Sequence, residues 1–438
     1  MEKHTKQCGR FLLAFFLCLF LGGCALPWEN SQEMPITMPT DMARAELETS
    51  TSIPVDVYWD ATVSMQGYTT LAAGNVYRTL PDLLGDIGDS MGNVQFFRFG
   101  AEVMPLGGRE YRKFSDASTY TELITAVHNA VDTADPNHLS VIVTDLFESD
   151  SDWSNVTKKL KDKYFAHHLS VAVIGIKNSF HGDIFDVGLN ARKYFYNSND
   201  DPARFRPFYL ILMGPEKKIL EFIDLWKERQ TIPNETQYLL LTENLTEGAN
   251  DFTQLVVSEG IQNLYSNESL GIRDKRIKEF GINDHSAPVV LPVRFDYQPL
   301  FGTCPLDMDH LKTAVQAFSL SENGEWEPLD TNDDPKVEVS RSSDAPDSWN
   351  VTLTFQPEQT IKPDAMNFIH VSVFPDAKGY RLPDWVRAWN MPNVDVAPDQ
   401  FDGSKTVNLL HVMESLKSTA LTASHPALVN MNIIIDER

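Results

Sequence analysis

From Val55 to about Arg229, short apolar runs alternate with amphipathic stretches. "VDVYW", "NVQFFRFG", "LSVIVTD", "LSVAVIGI" and "RPFYLILMG" have the length and the β-branched or aromatic density of strands, and a further short strand is expected near Ala101 to Pro105. Between them, "AAGNVYRTLPDLLGDIGDSM" reads as a helix that Pro81 should break or kink, and "WSNVTKKLKDKYF" as a second helix. "TELITAVHNAV" puts Leu123, Ile124, Val127 and Val131 on one helical face, and "EKKILEFIDLWKER" does the same with Ile219, Phe222, Ile223 and Trp226. Strands buried on both faces and separated by helices predict a mostly parallel sheet with right-handed crossovers, a doubly wound α/β domain over residues 52–232. The stretch from Asn178 to Phe205 is long for a loop between two of its strands and reads as an insertion near the ligand face.

The pattern changes near Gln230 to Glu235, where "QTIPNE" interrupts it. Beyond it, "TQYLLLT", "SAPVVLPVRFDYQ", "TAVQAFSL", "KVEVSR", "WNVTLTFQ", "NFIHVSVF" and "VNMNIIID" are regularly spaced short strands. Helices are expected only near Asp251 to Tyr265 and Lys405 to Thr419. The second domain, residues 233–438, is therefore predicted to be an all-β, antiparallel, sandwich-like unit with one or two helices.

The N-terminus adds a location. Lys3, Lys6 and Arg10 precede an unbroken apolar run from Phe11 to Leu21, too short to span a bilayer comfortably, and Gly22 and Gly23 lead into Cys24. Leu21-Gly22-Gly23-Cys24 resembles the lipobox of bacterial lipoproteins, which implies a signal peptide over residues 1–23, a lipid on Cys24, and a mature chain held at the extracytoplasmic face of a bacterial cell membrane. Residues 24–51 are polar, carry Pro27, Pro35 and Pro39, and suit a flexible tether. Cys8 and Cys18 leave with the signal, so Cys304 has no partner for a disulfide. The chain's 37 basic and 61 acidic residues give a net charge of −24; losing three basic groups and one acid with the signal leaves 34 against 60, or −26. Such a surface repels phosphate backbones, so nucleic acid is not an expected partner.

Candidate chemistry centres on "WDATVS". Asp60 ends the first strand, where open α/β sheets bind ligands, and Asp60, Thr62 and Ser64 can direct oxygens at a hard divalent cation. More donors must come from neighbouring strands: Asp145 ends "VIVTD", and Thr119 and Thr121 precede a predicted helix. This set resembles the von Willebrand factor A domain and its metal-ion-dependent adhesion site, an Asp-x-Ser-x-Ser loop with a later Thr and Asp. The match covers about Ile53 to Arg229, with Thr62 replacing the first Ser and Leu146 standing where many members have Gly. The resemblance implies one Mg²⁺, Mn²⁺ or Ca²⁺ held by Asp60, Thr62, Ser64, Thr121 and Asp145, with Thr119 as a rival to Thr121. It also implies a protein partner that presents an acidic side chain to the metal.

Enzymatic readings fare worse. Gly88-Asp89-Ser90-Met91-Gly92 has the spacing of a nucleophile elbow, but a helix precedes it and a strand follows, the reverse of what that motif needs. His167, His168, His181 and Asp183 lack the spacing of a zinc site. Trp385 and Trp389 read as a core or interdomain contact, the alternative being an aromatic ligand-binding surface. Five Asn-x-Ser/Thr matches, such as Asn155 and Asn350, carry little weight beside a bacterial lipobox. The chain is expected to be a non-catalytic, metal-dependent binding lipoprotein; the alternative is a metal-independent scaffold or sensor subunit of an envelope assembly.

Overall fold

The computed structural model describes residues 51–438 apart from 73, 148–152, 248–255, 258–259, 267–276, 332–333 and 344–347. The signal peptide, Cys24 and all but the last residue of the tether lie outside the described residues. Among the described residues, no helix is long and apolar enough to cross a membrane.

The first half is built on a seven-stranded sheet. Its strands are β1 (Ile53–Asp60), β2 (Gly92–Phe99), β3 (Val103–Pro105), β4 (Leu139–Thr144), β5 (Ser170–Asn178), β8 (Arg206–Gly214) and β9 (Thr236–Leu241), in the order β3-β2-β1-β4-β8-β5-β9. A separate hairpin, β6 (His181–Val187) with β7 (Arg192–Asn197), fills the insertion after β5. Helices α1 (Val76–Met91) and α4 (Glu216–Arg229) pack on one face of the sheet, and α2 (Val127–Thr133) and α3 (Ser154–Lys163) on the other. α1 runs unbroken through Pro81.

The predicted parallel sheet is realised only in part. β2, β1 and β4 are parallel neighbours, but β8 lies antiparallel between β4 and β5, and β9 is antiparallel to β5. The reason is local. The β6–β7 hairpin returns the chain to the edge at which β5 ended, so β8 starts there, with Arg206 paired to Asn178, and must run back. β8 is buried throughout and feeds both cores, Phe208, Leu210 and Leu212 on one side and Tyr209, Ile211 and Met213 on the other. At ~1.5–3 kcal/mol per buried apolar side chain, a central place in the sheet is its strongly favoured position.

The strand "TQYLLL", expected in the second domain, is β9 and closes the first sheet. Beyond it, β10 (Val256–Val257), β13 (Val289–Asp296), β17 (Ser348–Phe355) and β16 (Lys336–Arg341) make a four-stranded sheet. It faces a six-stranded sheet of β11 (Leu264–Ser266), β12 (Ile277–Ile282), β21 (Val429–Asp436), β18 (Met366–Pro375), β14 (Leu311–Leu320) and β15 (Trp326–Pro328). The two share one core through residues such as Leu291, Val351, Val371 and Ile433. Pairing is antiparallel as predicted except between β12 and β21. Where a helix was expected near Asp251 to Tyr265, the described residues include the short strands β10 and β11.

The halves are not separate in space. α5 (Asp384–Ala388) and α6 (Leu409–Ala423) leave the sandwich and cover the α2–α3 face of the first sheet. Trp385 and Trp389 belong to that contact, buried against β5, β8 and β9. Gly175 admits the indole because a Cβ there would lie 2.8 Å from Trp389 Cζ3 and 3.1 Å from Tyr209. Two short paired strands, β19 (Asn390–Met391) and β20 (Thr406–Val407), connect the two helices.

Candidate metal and ligand site

At the carboxyl end of β1 the chain turns away through Ala61 to Ser64, and Asp60 is fully buried. Asp60 Oδ1 accepts from the backbone N–H of Thr62 at 3.0 Å and from its hydroxyl at 2.6 Å, and Oδ2 accepts from the Thr144 hydroxyl at 3.1 Å. The Thr62 and Ser64 hydroxyls are 3.0 Å apart, and the Thr125 hydroxyl donates to Thr62 at 3.2 Å. Asp145 follows β4, and its Oδ1 accepts from the Phe147 N–H at 3.1 Å. Asp60, Thr62, Ser64, Thr125, Thr144 and Asp145 are all buried, so two carboxylates and four hydroxyls gather at this end of the sheet.

Segment 121–126 explains why the threonine differs from the predicted one. Instead of forming the first turns of a helix, it runs beside the β1 loop: Val63 N–H donates to Glu122 O, Glu122 N–H to Ala61 O, and Ala126 N–H to Gly100 O. The helix begins only at Val127, and Leu123 and Ile124 are exposed at 80% and 52%. Thr121 is exposed as well, and the Thr119 hydroxyl is engaged by Lys113 O at 2.7 Å. Thr125, at 2% exposure, supplies the hydroxyl that sequence reasoning assigned to Thr121. Its signal was its place directly before "AVHNAV", masked by the apparent helical periodicity around it.

Electrostatics sharpen the arrangement. Burial, with Asp145 nearby, pushes the Asp60 carboxyl up to about 7, although the Thr62 and Thr144 hydrogen bonds oppose the shift. Burial also raises Asp145, against the pull of the Arg206 guanidinium and the hydrogen bond from the Phe147 N–H. Arg206 was not foreseen. It stands at the start of β8, 4% exposed, with Nη1 donating to the carbonyls of Gly403 at 3.2 Å and Lys405 at 2.6 Å. The signal was present: a lone arginine opening an otherwise apolar strand needs a partner inside the fold.

A cavity of about 50 Å³ opens beside Ser64 and Asp145. Its other walls come from the β6 strand at Ile184 to Asp186, from Arg206, and from the C-terminal segment at Asn393 and Thr406 to Asn408. The insertion and the link between α5 and α6 thus roof the carboxyl ends of β1 and β4.

The donor set suits a hard divalent ion, which prefers carboxylate and hydroxyl oxygens. Two carboxylates with hydroxyls around them match its charge, and Asp60, costly as a buried anion, gains a counter-charge. Among the described residues no group of three or more His, Cys, Asp or Glu converges, so oxygen chemistry from hydroxyls has to complete any such site. Elsewhere the sequence candidates separate. Ser90 lies inside α1 and donates to Asp86 O at 2.8 Å, while Gly92 lets β2 approach β1, a Cβ there falling 2.6 Å from Ile53 O. His168 pairs with Glu243, His181 stacks edge-on with Phe195, and Asp183 pairs with Lys193 at 3.0 Å. Comparison with protein-family models, with curated proteins and with solved structures returned no match.

Proposed function

We propose that the chain is a lipid-anchored extracytoplasmic protein of bacterial type whose α/β unit, similar to a von Willebrand factor A domain, captures a protein ligand through a divalent metal. Asp60, Thr62, Ser64, Thr125 and Asp145 would hold the ion, Mg²⁺ or else Mn²⁺ or Ca²⁺, and the ion would supply a positive centre for an acidic group of the partner. The observation that carries this reading is the pair of buried carboxylates at the carboxyl ends of two neighbouring parallel strands, with the Thr62 and Thr144 hydroxyls on Asp60 and Ser64 beside Thr62. The reading is non-catalytic: the ion would bind the partner's acidic group. Calorimetry with Mg²⁺ and Mn²⁺ on the full chain tests it: saturable binding that Asp60→Ala removes supports it, and no binding by the unaltered chain rejects it.

A second reading, a metal-independent scaffold or sensor subunit of an envelope assembly, is favoured by the roof over the site and by the buried positive charge of Arg206 beside Asp145. Partner capture that survives a chelator and Asp60→Ala would select it.

A further inference from the structure

The β6–β7 hairpin is a two-stranded sheet, so β7 has one edge that no strand covers. The register shows which groups lie there. The Ser198 N–H donates to Phe180 O, next to the His181–Asn197 pair, so Tyr194 and Tyr196 turn their main-chain groups toward β6 and Lys193, Phe195 and Asn197 turn theirs outward. Asn197 O is taken by Arg204 Nη2 at 3.1 Å, but no backbone partner meets Lys193 or Phe195 on that side among the described residues. A groove of about 620 Å³ follows this edge, with Arg192–Asn197 as one wall and Asn199, Arg204, Pro398 and Phe401 as the rest. Arg204 both lines the groove and holds the outward carbonyl of Asn197, which sets groove and open edge on the same side of β7.

The walls are held in place. Tyr194 stacks on Phe401 with ring centroids 4.2 Å apart and donates to Val396 O at 2.6 Å, and the Tyr196 hydroxyl donates to Arg204 O at 2.8 Å. Charge gives the occupant its sign: on a chain of net charge −24, this groove carries Arg192, Lys193 and Arg204 and no acid. Lys193 is paired with Asp183, but the exposed Arg192 and Arg204 donate to main-chain carbonyls, Val396 O and Asn197 O, rather than to a carboxylate. Alternation along β7 sets Arg192 on the face of Tyr194 and Tyr196, and the Arg204 guanidinium lies 5.6 Å from the Tyr196 ring centroid, so both cations flank one face. We propose that β7 takes an extended acidic segment of a partner protein as a third strand, its main chain on Lys193 and Phe195 and its acidic side chains, at alternate positions, on Arg192 and Arg204. This groove shares no wall residue with the cavity beside Asp145, and the contact needs no metal.

The test uses the full chain in chelator, which separates it from the metal reading, and two end-blocked pentapeptides as probes, Glu-Val-Glu-Val-Glu and Gln-Val-Gln-Val-Gln. The acidic probe should bind roughly tenfold tighter at low salt, and the gain should fade as salt is raised. In ¹⁵N-phenylalanine-labelled protein, the Phe195 N–H should shift and gain protection from exchange when the acidic probe is added. Phe195→Pro removes that outward N–H without touching a bond to β6, and should lose the probe; Phe195→Ala, which keeps the N–H, should retain it. Arg192→Gln combined with Arg204→Gln should bring the acidic probe down to the affinity of the glutamine probe. Equal affinity for the two probes, or an unmoved Phe195 N–H, would overturn the proposal even if no variant folds, as would Phe195→Pro binding as well as Phe195→Ala. A chain that sediments as a dimer and becomes a monomer with Phe195→Pro would give the edge to a second copy instead.

Discussion

A carboxylate with no exposed surface, as at Asp60, is expensive unless something meets its charge, and here hydroxyls and one backbone amide meet it only in part. The metal-free chain should therefore lose stability as pH rises. Asp60 titrates near 7 when folded against 3.8 ordinarily, so between these values the native state holds the extra proton and is favoured at the acid end. The loss, on the order of 4 kcal/mol, is complete above pH ~7. Urea unfolding in chelator at pH 5 and pH 8 checks this, and Asp60→Asn should flatten the difference. Thr125→Ala should weaken Mg²⁺ roughly tenfold, the scale of one lost polar contact in a buried site, whereas Thr121→Ala should leave it unchanged; calorimetry on both variants separates the two threonines. Asp60, Thr62, Ser64 and Asp145 were legible in the sequence because each is tied to the end of a recognisable strand. Thr125 and Arg206 were not, since one depends on an extended segment that imitates a helix and the other on a strand whose direction was misjudged.

The elements around the site show how that misjudgement arose. Apolar periodicity identifies β8 as a buried strand but carries no direction; direction came from the β6–β7 hairpin, which returns the chain to the same edge of the sheet. That reversal is what sets Arg206 next to Asp145, so the departure from a parallel sheet and the unforeseen charge have one cause. Similarly, α6 is apolar on the face carrying Leu409, Val412, Met413, Leu416 and Ala420, which predicts a helix but not the surface it covers. Trp389 fastens this cover: its Nε1 donates to Glu235 Oε1 at 3.2 Å and Lys177 Nζ lies 5.0 Å from its ring centroid. Trp389→Ala should cost ~3–5 kcal/mol, read as a lower urea midpoint, because the space it leaves is enclosed between β5 and α5.

At the scale of the molecule, the sandwich does more than follow the α/β unit. Its α5–α6 excursion supplies one of the walls of the cavity beside Asp145 and shields an apolar face of the first sheet. A chain ending at Arg229 lacks β9, α5 and α6, and should bind an apolar dye and aggregate, whereas residues 51–438 stay monodisperse; dye fluorescence and light scattering compare the two. The placement of the second half on the first was invisible to local pattern, because no local signal records which distant surface a helix will meet.

The most direct measurement is Mg²⁺ calorimetry on the full chain beside Asp145→Ala. One saturable site is expected in the unaltered protein and none in the variant, with both giving the same far-ultraviolet circular dichroism. Heat of binding that is the same in both, or absent from both, would contradict it and leave the buried carboxylates as part of a metal-independent scaffold.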